Sequence, residues 1–503
     1  MKSFTKYAPL SLVIAAFLLT ALYVASAGGN FPLDDSWIHQ TYGRNLGTLG
    51  EWAFYPGQPS AASTSPLYTV ILSMGYRLGI EYHLWTHGVG ALALALTGLI
   101  GWRLSLLLMP NRKGIAWIVG LALVGTWHLI WAAGSGMETG IFAMLTLAMI
   151  AYTSEVQTAR PFHAIGLGVL AGLLMLTRPE GVLLAGMCGL ALVIRFAAAK
   201  TPIHRIGVFV GVMTLAFGAV TAPYLLYNIH VTGGLLPNTA GAKRSQAAAL
   251  FGLSIVERFV RLVIPLLAGG QVLLIPGMIA FGLFTVRRHR DQAVRWLLIA
   301  WGFGLIALYA AWLPLDMQHG RYVMPALPAL IVVGVIGTVE WAVSVRRSLI
   351  GRVIVRSLAA AAALIFAAFA FSIGLSTYTR DVAIIDGDMV TAAAWVRDHI
   401  PADTLIAIHD IGAVGYFAPH PMLDIGGLIS PEVIPIIRDG DAIWTLIEQR
   451  GARYLMGYPY QLPNENPDDP RLCPRFSTEN PVTQTAGGSP LTIYEIYESR
   501  LCE

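Results

Sequence analysis

The feature that most limits how this chain can fold is a series of apolar stretches, each about 20 residues long, recurring through the first three quarters of its 503 residues. A helix rising about 1.5 Å per residue needs roughly 20 such residues to cross the ~30 Å hydrocarbon core of a bilayer. The stretches fall near 8–27, 82–108, 115–133, 138–152, 162–177, 181–198, 206–228, 262–286, 293–313, 322–344 and 354–375, which gives about eleven spans. The pair 162–177 and 181–198 is short and Gly-rich, so it reads either as two spans or as one broken, re-entrant unit. With 12% charged residues against 55% hydrophobic, a soluble globule and a disordered chain are both excluded. Three cysteines are too few for a disulfide-dense scaffold or a Cys-rich metal domain.

Polarity changes abruptly near residue 376, and the formal charge of +4 hides a division there. Residues 1–375 carry 25 Lys+Arg against 11 Asp+Glu, a net of +14, and residues 376–503 carry 8 against 18, a net of −10. A basic membrane domain, 1–375, is thus joined to an acidic water-soluble domain, 376–503. Cytoplasmic loops collect Lys and Arg. Lys2, Lys6, Arg112, Lys113, Arg160, Lys200, Arg205, Arg287, Arg288, Arg290, Arg346, Arg347, Arg352 and Arg356 all fall on one side of alternating spans. Asp34, Asp35, Glu51, Glu138, Glu180 and Asp316 fall on the other. The expected topology is a multi-pass protein of the cytoplasmic (inner) membrane, N-terminus in the cytoplasm and soluble domain outside. The first apolar run ends in Ala25-Ser26-Ala27 like a secretory signal, but its ~20 residues exceed a usual signal core and favour a retained helix. Because the basic charge sits mostly in cytoplasmic loops, it sets orientation, and no nucleic-acid partner is expected.

The first outer loop, 28–81, is too long for a simple connector and is dense in polar and aromatic groups. Asp34-Asp35-Ser36-Trp37-Ile38-His39 opens a stretch whose apolar residues Trp37, Ile38 and Tyr42 have helical spacing, so the two carboxylates stand at a helix N-terminus, where they also serve as ordinary caps. Adjacent carboxylates raise the pKa of one member, which suits a general base near neutral pH. Further polar segments on the same face are Ser135-Gly136-Met137-Glu138-Thr139, Arg178-Pro179-Glu180-Gly181, Leu236-Pro237-Asn238-Thr239, and Asp316-Met317-Gln318-His319-Gly320-Arg321-Tyr322. Arg178 and Glu180 read first as a local ion pair that makes a turn tolerable at membrane depth. Lys243 and Arg244 run against the positive-inside trend, which points to an anionic partner on the outer face. A carboxylate base beside cations suited to phosphate suggests a transferase whose leaving group is a lipid phosphate.

On the Leu33-Asp34-Asp35 signature, the Arg44-Asn45 helix, Gly57…Ser63-Thr64-Ser65-Pro66-Leu67 and the later segments just quoted, the chain resembles the GT-C integral-membrane glycosyltransferases. Among them it is most similar to bacterial arabinofuranosyltransferase and protein mannosyltransferase-like enzymes. The resemblance implies a mainly α, polytopic helical bundle and a polyprenyl-phosphate sugar donor. It also implies inversion at the anomeric carbon and an extracytoplasmic acceptor, whether cell-envelope glycan, lipid or protein. It assigns Asp35 or Asp34 as catalytic base, and Lys243, Arg244, Arg321 and His319 to the donor phosphate. Arg44, Glu138 and Asn238 become substrate contacts. Some members use a divalent cation, Mg or Mn, which Asp34 and Asp35 would ligate, and others use none; two adjacent carboxylates fit either case. One departure is Ala61-Ala62-Ser63, where related sequences often carry an acidic or bulky residue.

The tail reads as a small α/β domain. An amphipathic helix is expected at 386–400, and strands at Leu405–Ile408, Met422–Asp424, Tyr454–Met456 and Leu491–Tyr494. Its expected role is to hold or select the acceptor above the membrane cavity. His409 reads more as a packed histidine than as a ligand, Cys473 and Cys502 can close an exported disulfide, and Cys188 is a packing residue within a span. The rival reading is a polytopic lipid or solute transporter, against which stand the absence of an internal repeat and the gathering of polar residues on one face.

Overall fold

The computed structural model describes residues 7–60, 62–235 and 239–497. Among these, helices long and apolar enough to cross a membrane are Ala8–Ser26, Tyr82–Leu108, Gly181–Ala198, Ile203–Val231, Gly270–Arg288, Ala293–Trp312, Met317–Ser344 and Leu349–His399. Two shorter apolar helices, Thr139–Glu155 and Pro161–Thr177, stand among them. The protein is a multi-pass membrane protein. The expected span at 115–133 is broken: Lys113–Val124 and Trp127–Gly134 meet at 53°. The 162–177 and 181–198 segments form two separate helices, parted at Arg178-Pro179.

The expected 262–286 span is also divided. Ser254 and Glu257 form a reciprocal capping box that starts an amphipathic helix, Ile255–Leu266, and Gly269 (φ +149°) then turns the chain into the spanning helix that follows. Helix Leu327–Ser344 is buried over most of its length. It packs against Ile275–Arg288 through Gly277, Gly334 and Gly337, where no Cβ could be accommodated, the small-residue contact by which membrane helices approach closely. Leu10, Ile14 and Phe17 point outward from the first helix, as lipid-facing residues do.

The last of these helices does not end with its apolar segment. Leu349–His399 runs as one 51-residue helix into the soluble domain, with single π-type turns at Phe369–Ile373 and Asp386–Val390. The amphipathic helix expected at 386–400 is its end. Tyr378 and Asp381 tie it to the Trp127–Gly134 helix: the Tyr378 hydroxyl donates to the Gly134 carbonyl (2.8 Å), and Trp131 Nε1 donates to Asp381 Oδ2 (3.0 Å).

Beyond it lies a five-stranded sheet. Taking the outer-loop hairpin as β1 (Ala53–Tyr55) and β2 (Gln58–Pro59), its strands are β3 (Ile406–Ile408), β4 (Met422–Asp424), β5 (Tyr454–Gly457), β6 (Leu472–Ser477) and β7 (Thr492–Ile496). Their order is β4-β3-β5-β7-β6. β3 is parallel to β4 and β5, and β7 is antiparallel to β5 and β6. The four expected strands are present. β6, which the sequence pattern missed, is an edge strand interrupted at Pro474 by a register shift, the position a sheet allows proline. The C-terminal domain is not a free appendage: Phe31, Trp37, Tyr42 and Phe54 of the loop after the first helix share one core with Ile406, Ile411 and Val414.

Candidate active site

Asp34 and Asp35 are the first two residues of helix Asp34–Thr48, entered from the extended Leu33 (φ −145°, ψ 138°). Successive helical residues point about 100° apart, so two neighbouring carboxylates diverge. Asp34 turns to the soluble domain, where its two oxygens accept the backbone N–H groups of Gly412 (2.7 Å) and Ala413 (2.8 Å). These open the short helix Gly412–Phe417, and Gly412 has no room for a Cβ against Asp34. At the other end Arg44 donates to the carbonyls of Tyr416 (2.7 Å) and Gly415 (3.3 Å) and lies over the Tyr416 ring. One membrane-side helix thus grips a soluble-domain helix with a carboxyl group at its N-terminus and a guanidinium at its C-terminus. Arg44, expected at the substrate, sits instead in this clasp.

Burial, together with the charges of Asp410 and Asp35, pushes the Asp34 carboxyl up to about 7, despite the two amide bonds. The folded protein therefore holds a proton that the unfolded group would release near 3.8, so the favourable linkage is complete below that pH and is lost as pH rises through about 7. Asp34→Asn is expected to remove this slope and, by leaving one buried amide poorly satisfied, to cost about 1–3 kcal/mol of domain docking. Thermal unfolding between pH 5 and 8, with limited proteolysis at the domain junction, measures both effects.

Asp35 turns the other way, into a cavity of ≈ 360 Å³ that also meets Glu138, Arg178, Lys243, Arg321 and Tyr322. Its Oδ2 pairs with Arg321 Nη2, which also donates to the Tyr322 hydroxyl (3.2 Å). Burial raises the Asp35 carboxyl, but the positive charges of Arg321 and Lys243 outweigh it and hold the group well below the usual carboxylate range. Burial lowers the Lys243 ammonium, yet Tyr322 and the Asp35 carboxylate keep it above its ordinary value. Arg321 is only 4% exposed, and its Nε and Nη1 have no hydrogen-bond partner among the described residues. Buried guanidinium donors without partners are expensive, and the oxygens of a phosphate group can satisfy them.

Arg321 reaches this place through a tight turn. Gln318 (φ +54°), His319 (φ +59°) and Gly320 (φ +72°) are all left-handed, a conformation that strains the first two. His319 is pinned there by its Nε2 contact to Asp381 (2.6 Å), between the rings of Trp127 and Trp131. It does not line the cavity and so does not join Lys243 and Arg321 there. Arg244, exposed on helix Thr239–Gln246, lies over the Trp312 ring (4.2 Å), behind the cavity wall. Asn238 lies outside the described residues.

Glu138 lines the cavity, in a chain of buried polar groups the sequence did not connect. Its carboxylate meets His39 Nε2 (3.3 Å) and Arg178 Nε (3.3 Å), Arg178 meets Glu180 (3.3 Å), and Tyr309 donates to Glu180 Oε1 (2.5 Å). Burial raises the Glu138 carboxyl, but the His39 hydrogen bond and the Arg178 charge bring it below its normal range. The Arg178-Glu180 pair is therefore no mere turn brace: both residues line the cavity, and Arg178 Nη1 is buried without a hydrogen-bond partner among the described residues. The Arg-Pro-Glu-Gly segment was the signal in the sequence; Tyr309, inside an apolar span, gave none.

The donor set does not suit the Mg or Mn ion that the resemblance left open. Both Asp34 oxygens are taken by amides and Asp35 faces a guanidinium, and among the described residues no group of three or more His, Cys, Asp or Glu is placed to hold a metal. Cys188 is free and buried and Cys473 is disulfide-bonded, while its expected partner Cys502 lies outside the described residues.

Residues 378–494 match a family described as "Domain of unknown function (DUF8728)". No curated protein is significantly similar in sequence. Among solved structures, ArnT from Cupriavidus metallidurans bound to undecaprenyl phosphate is 14% identical, with 98% of this chain and 99% of that one covered at a TM-score of 0.59. The Archaeoglobus fulgidus oligosaccharyltransferase is 12% identical over 95% of this chain and 74% of its own, TM-score 0.58. The mycobacterial arabinofuranosyltransferase AftD is 14% identical over 97% of this chain and 41% of its own, TM-score 0.51. From the first helix to the soluble sheet, this chain has the fold of the GT-C glycosyltransferases.

Proposed function

We propose that the protein is a membrane glycosyltransferase that moves a sugar from a polyprenyl-phosphate donor to a hydroxyl of an acceptor outside the cytoplasmic membrane, with inversion. The observation that carries this reading is the Asp35–Arg321 pair, set at the cavity beside Lys243 with two Arg321 nitrogens, Nε and Nη1, unpartnered among the described residues. The Cupriavidus protein of the same fold binds undecaprenyl phosphate. In the proposed reaction the donor phosphate engages Lys243 and Arg321 and draws the guanidinium away from Asp35. The freed carboxylate, no longer held so far below its ordinary pKa, takes the proton from the acceptor hydroxyl. The acceptor oxygen forms its bond to the anomeric carbon from the face opposite the phosphate, and the carbon–oxygen bond to phosphate breaks with both electrons leaving on the lipid phosphate. Lys243 and Arg321 offset that developing charge, the kind of preorganised electrostatics that supplies the largest catalytic contribution in many enzymes.

The deciding experiment incubates the purified protein in lipid nanodiscs with a panel of polyprenyl-phosphate pentoses and hexoses and with oligosaccharide, lipid and peptide acceptors. Sugar transfer and release of polyprenyl phosphate are expected. Translocation of a lipid-linked sugar without any transfer would favour the transporter instead.

A further inference from the structure

Next to the main cavity is a second, much smaller space of ≈ 20 Å³. Asp35, Ile38, Lys243 and Leu428 border both, so the two spaces meet at the carboxylate assigned above as the base. The far wall of the small crevice comes from the soluble domain and carries His409 and Asp410. His409 Nδ1 is 3.1 Å from Asp410 Oδ1, and Asp410 Oδ2 accepts from Gln461 Nε2 (2.7 Å), so the carboxylate is fixed on both oxygens and fixes the ring in turn. The wall behind is stiff: Asp424 accepts the N–H groups of Gly426, Gly427, Leu428 and Ile429, and Gly426 has little space for a side chain against the His409 carbonyl. His409 Nε2, by contrast, has no hydrogen-bond partner among the described residues, and the side chain is 25% exposed.

A volume of this size admits one water-sized group, such as a single hydroxyl, and is too small for a phosphate. Its charge argues the same way. Asp34, Asp35 and Asp410 face it against Lys243 and the His409 ring. Once a donor phosphate has engaged Lys243, an anionic group placed there would meet three carboxyl groups with only the His409 ring to offset them. Nε2 can engage a hydroxyl in either protonation state, as acceptor when neutral and as donor when charged.

We propose that this crevice is the acceptor subsite: His409, oriented by Asp410, seats one hydroxyl of a neutral, polyhydroxylated acceptor and so holds a neighbouring hydroxyl against Asp35. The acceptor class is then an uncharged carbohydrate rather than a phosphorylated glycolipid headgroup. Because this assignment rests on the transferase reading above, its test separates the two. Wild-type protein is assayed with polyprenyl-phosphate sugars and two matched acceptors, a neutral tetrasaccharide and the same tetrasaccharide bearing a phosphate monoester at its reducing end. Preference for the neutral acceptor is expected. His409→Ala should raise the KM for that acceptor on the order of 10-fold with the donor KM unchanged, and His409→Gln, which keeps a hydrogen-bonding group, should recover part of the loss. Preference for the phosphorylated acceptor, or an unchanged acceptor KM in both variants, overturns the subsite while leaving the transferase intact. No transfer by wild-type protein to any acceptor overturns both. Should His409→Ala fold poorly by thermal melting, the Gln variant and the wild-type acceptor comparison decide.

Discussion

Asp35→Asn is expected to lower sugar transfer by about 10²–10⁴-fold, the usual contribution of a positioned base, while the protein gains in its response to donor. The amide cannot take a proton from the acceptor, so turnover falls. It also cannot neutralise Arg321, which is then left 4% exposed, with a buried charge that has lost its ion-pair partner. Losing that pair destabilises the ligand-free fold by about 1–3 kcal/mol, discounted from fully buried pairs because the Asp35 side chain is 27% exposed. A lipid phosphate restores the missing charge. The increase in melting temperature on adding polyprenyl phosphate should therefore be larger for Asp35→Asn than for wild type. The pH dependence has a definite sign. A carboxylate held below its ordinary pKa stabilises the fold above the unfolded value of 3.8, and that stabilisation is lost as pH falls through the lower folded value. Asp35→Asn should thus flatten acid destabilisation below about pH 4. A variant with unaltered transfer and unaltered lipid response would remove Asp35 from the reaction.

Arg321→Ala is expected to lose both donor affinity and rate, with kcat/KM down by about 10³-fold or more, because the same guanidinium contacts the ground-state phosphate and the charge developing on it. Arg321→Lys retains the charge but gives up the planar fork of donors, and the defect should be repaired only partly. The contrast with Asp35→Asn is the informative part. Removing the carboxylate leaves a vacant cation that seeks phosphate, whereas removing the guanidinium leaves a carboxylate that repels it. Opposite effects on polyprenyl-phosphate binding, measured by thermal shift in nanodiscs, are the expected pair of results. Equal weakening in both would refute the competition of Asp35 and phosphate for Arg321.

The membrane architecture was legible because a span must bury every backbone polar group within itself, which forces a long apolar run that any reader of the sequence can find. Breaks inside such runs were harder. Gly125-Thr126 bends a helix pair where hydropathy is uninterrupted, and Gly269 divides a stretch that reads as a single span. At the site, Lys243 and Arg321 stood out as outer-face cations, and Asp35 as one of a pair of acids. What the sequence could not convey was direction. Asp34 and Asp35 are neighbours in the chain, yet one clasps the soluble domain and the other opens to the cavity, a difference set by a helical rotation of about 100°. Arg44 and His319 were misplaced for a related reason: their partners, the carbonyls of Gly415 and Tyr416 and the carboxylate of Asp381, come from 60 to 370 residues away, roughly.

The uninterrupted helix Leu349–His399 behaves as a mast. Its foot is set in the bilayer and its head in the soluble sheet, so the height and bearing of that sheet over the membrane are fixed by residue count. One inserted residue would lift the head by about 1.5 Å and swing it by about 100°, enough to pull Gly412 off Asp34 and to carry His409 away from Asp35. The π-type turns at Phe369–Ile373 and Asp386–Val390 each hold one residue more than the regular helical repeat needs. Each changes the bearing of the helix beyond it, and on that bearing depends the alignment of the His409 wall with Asp35.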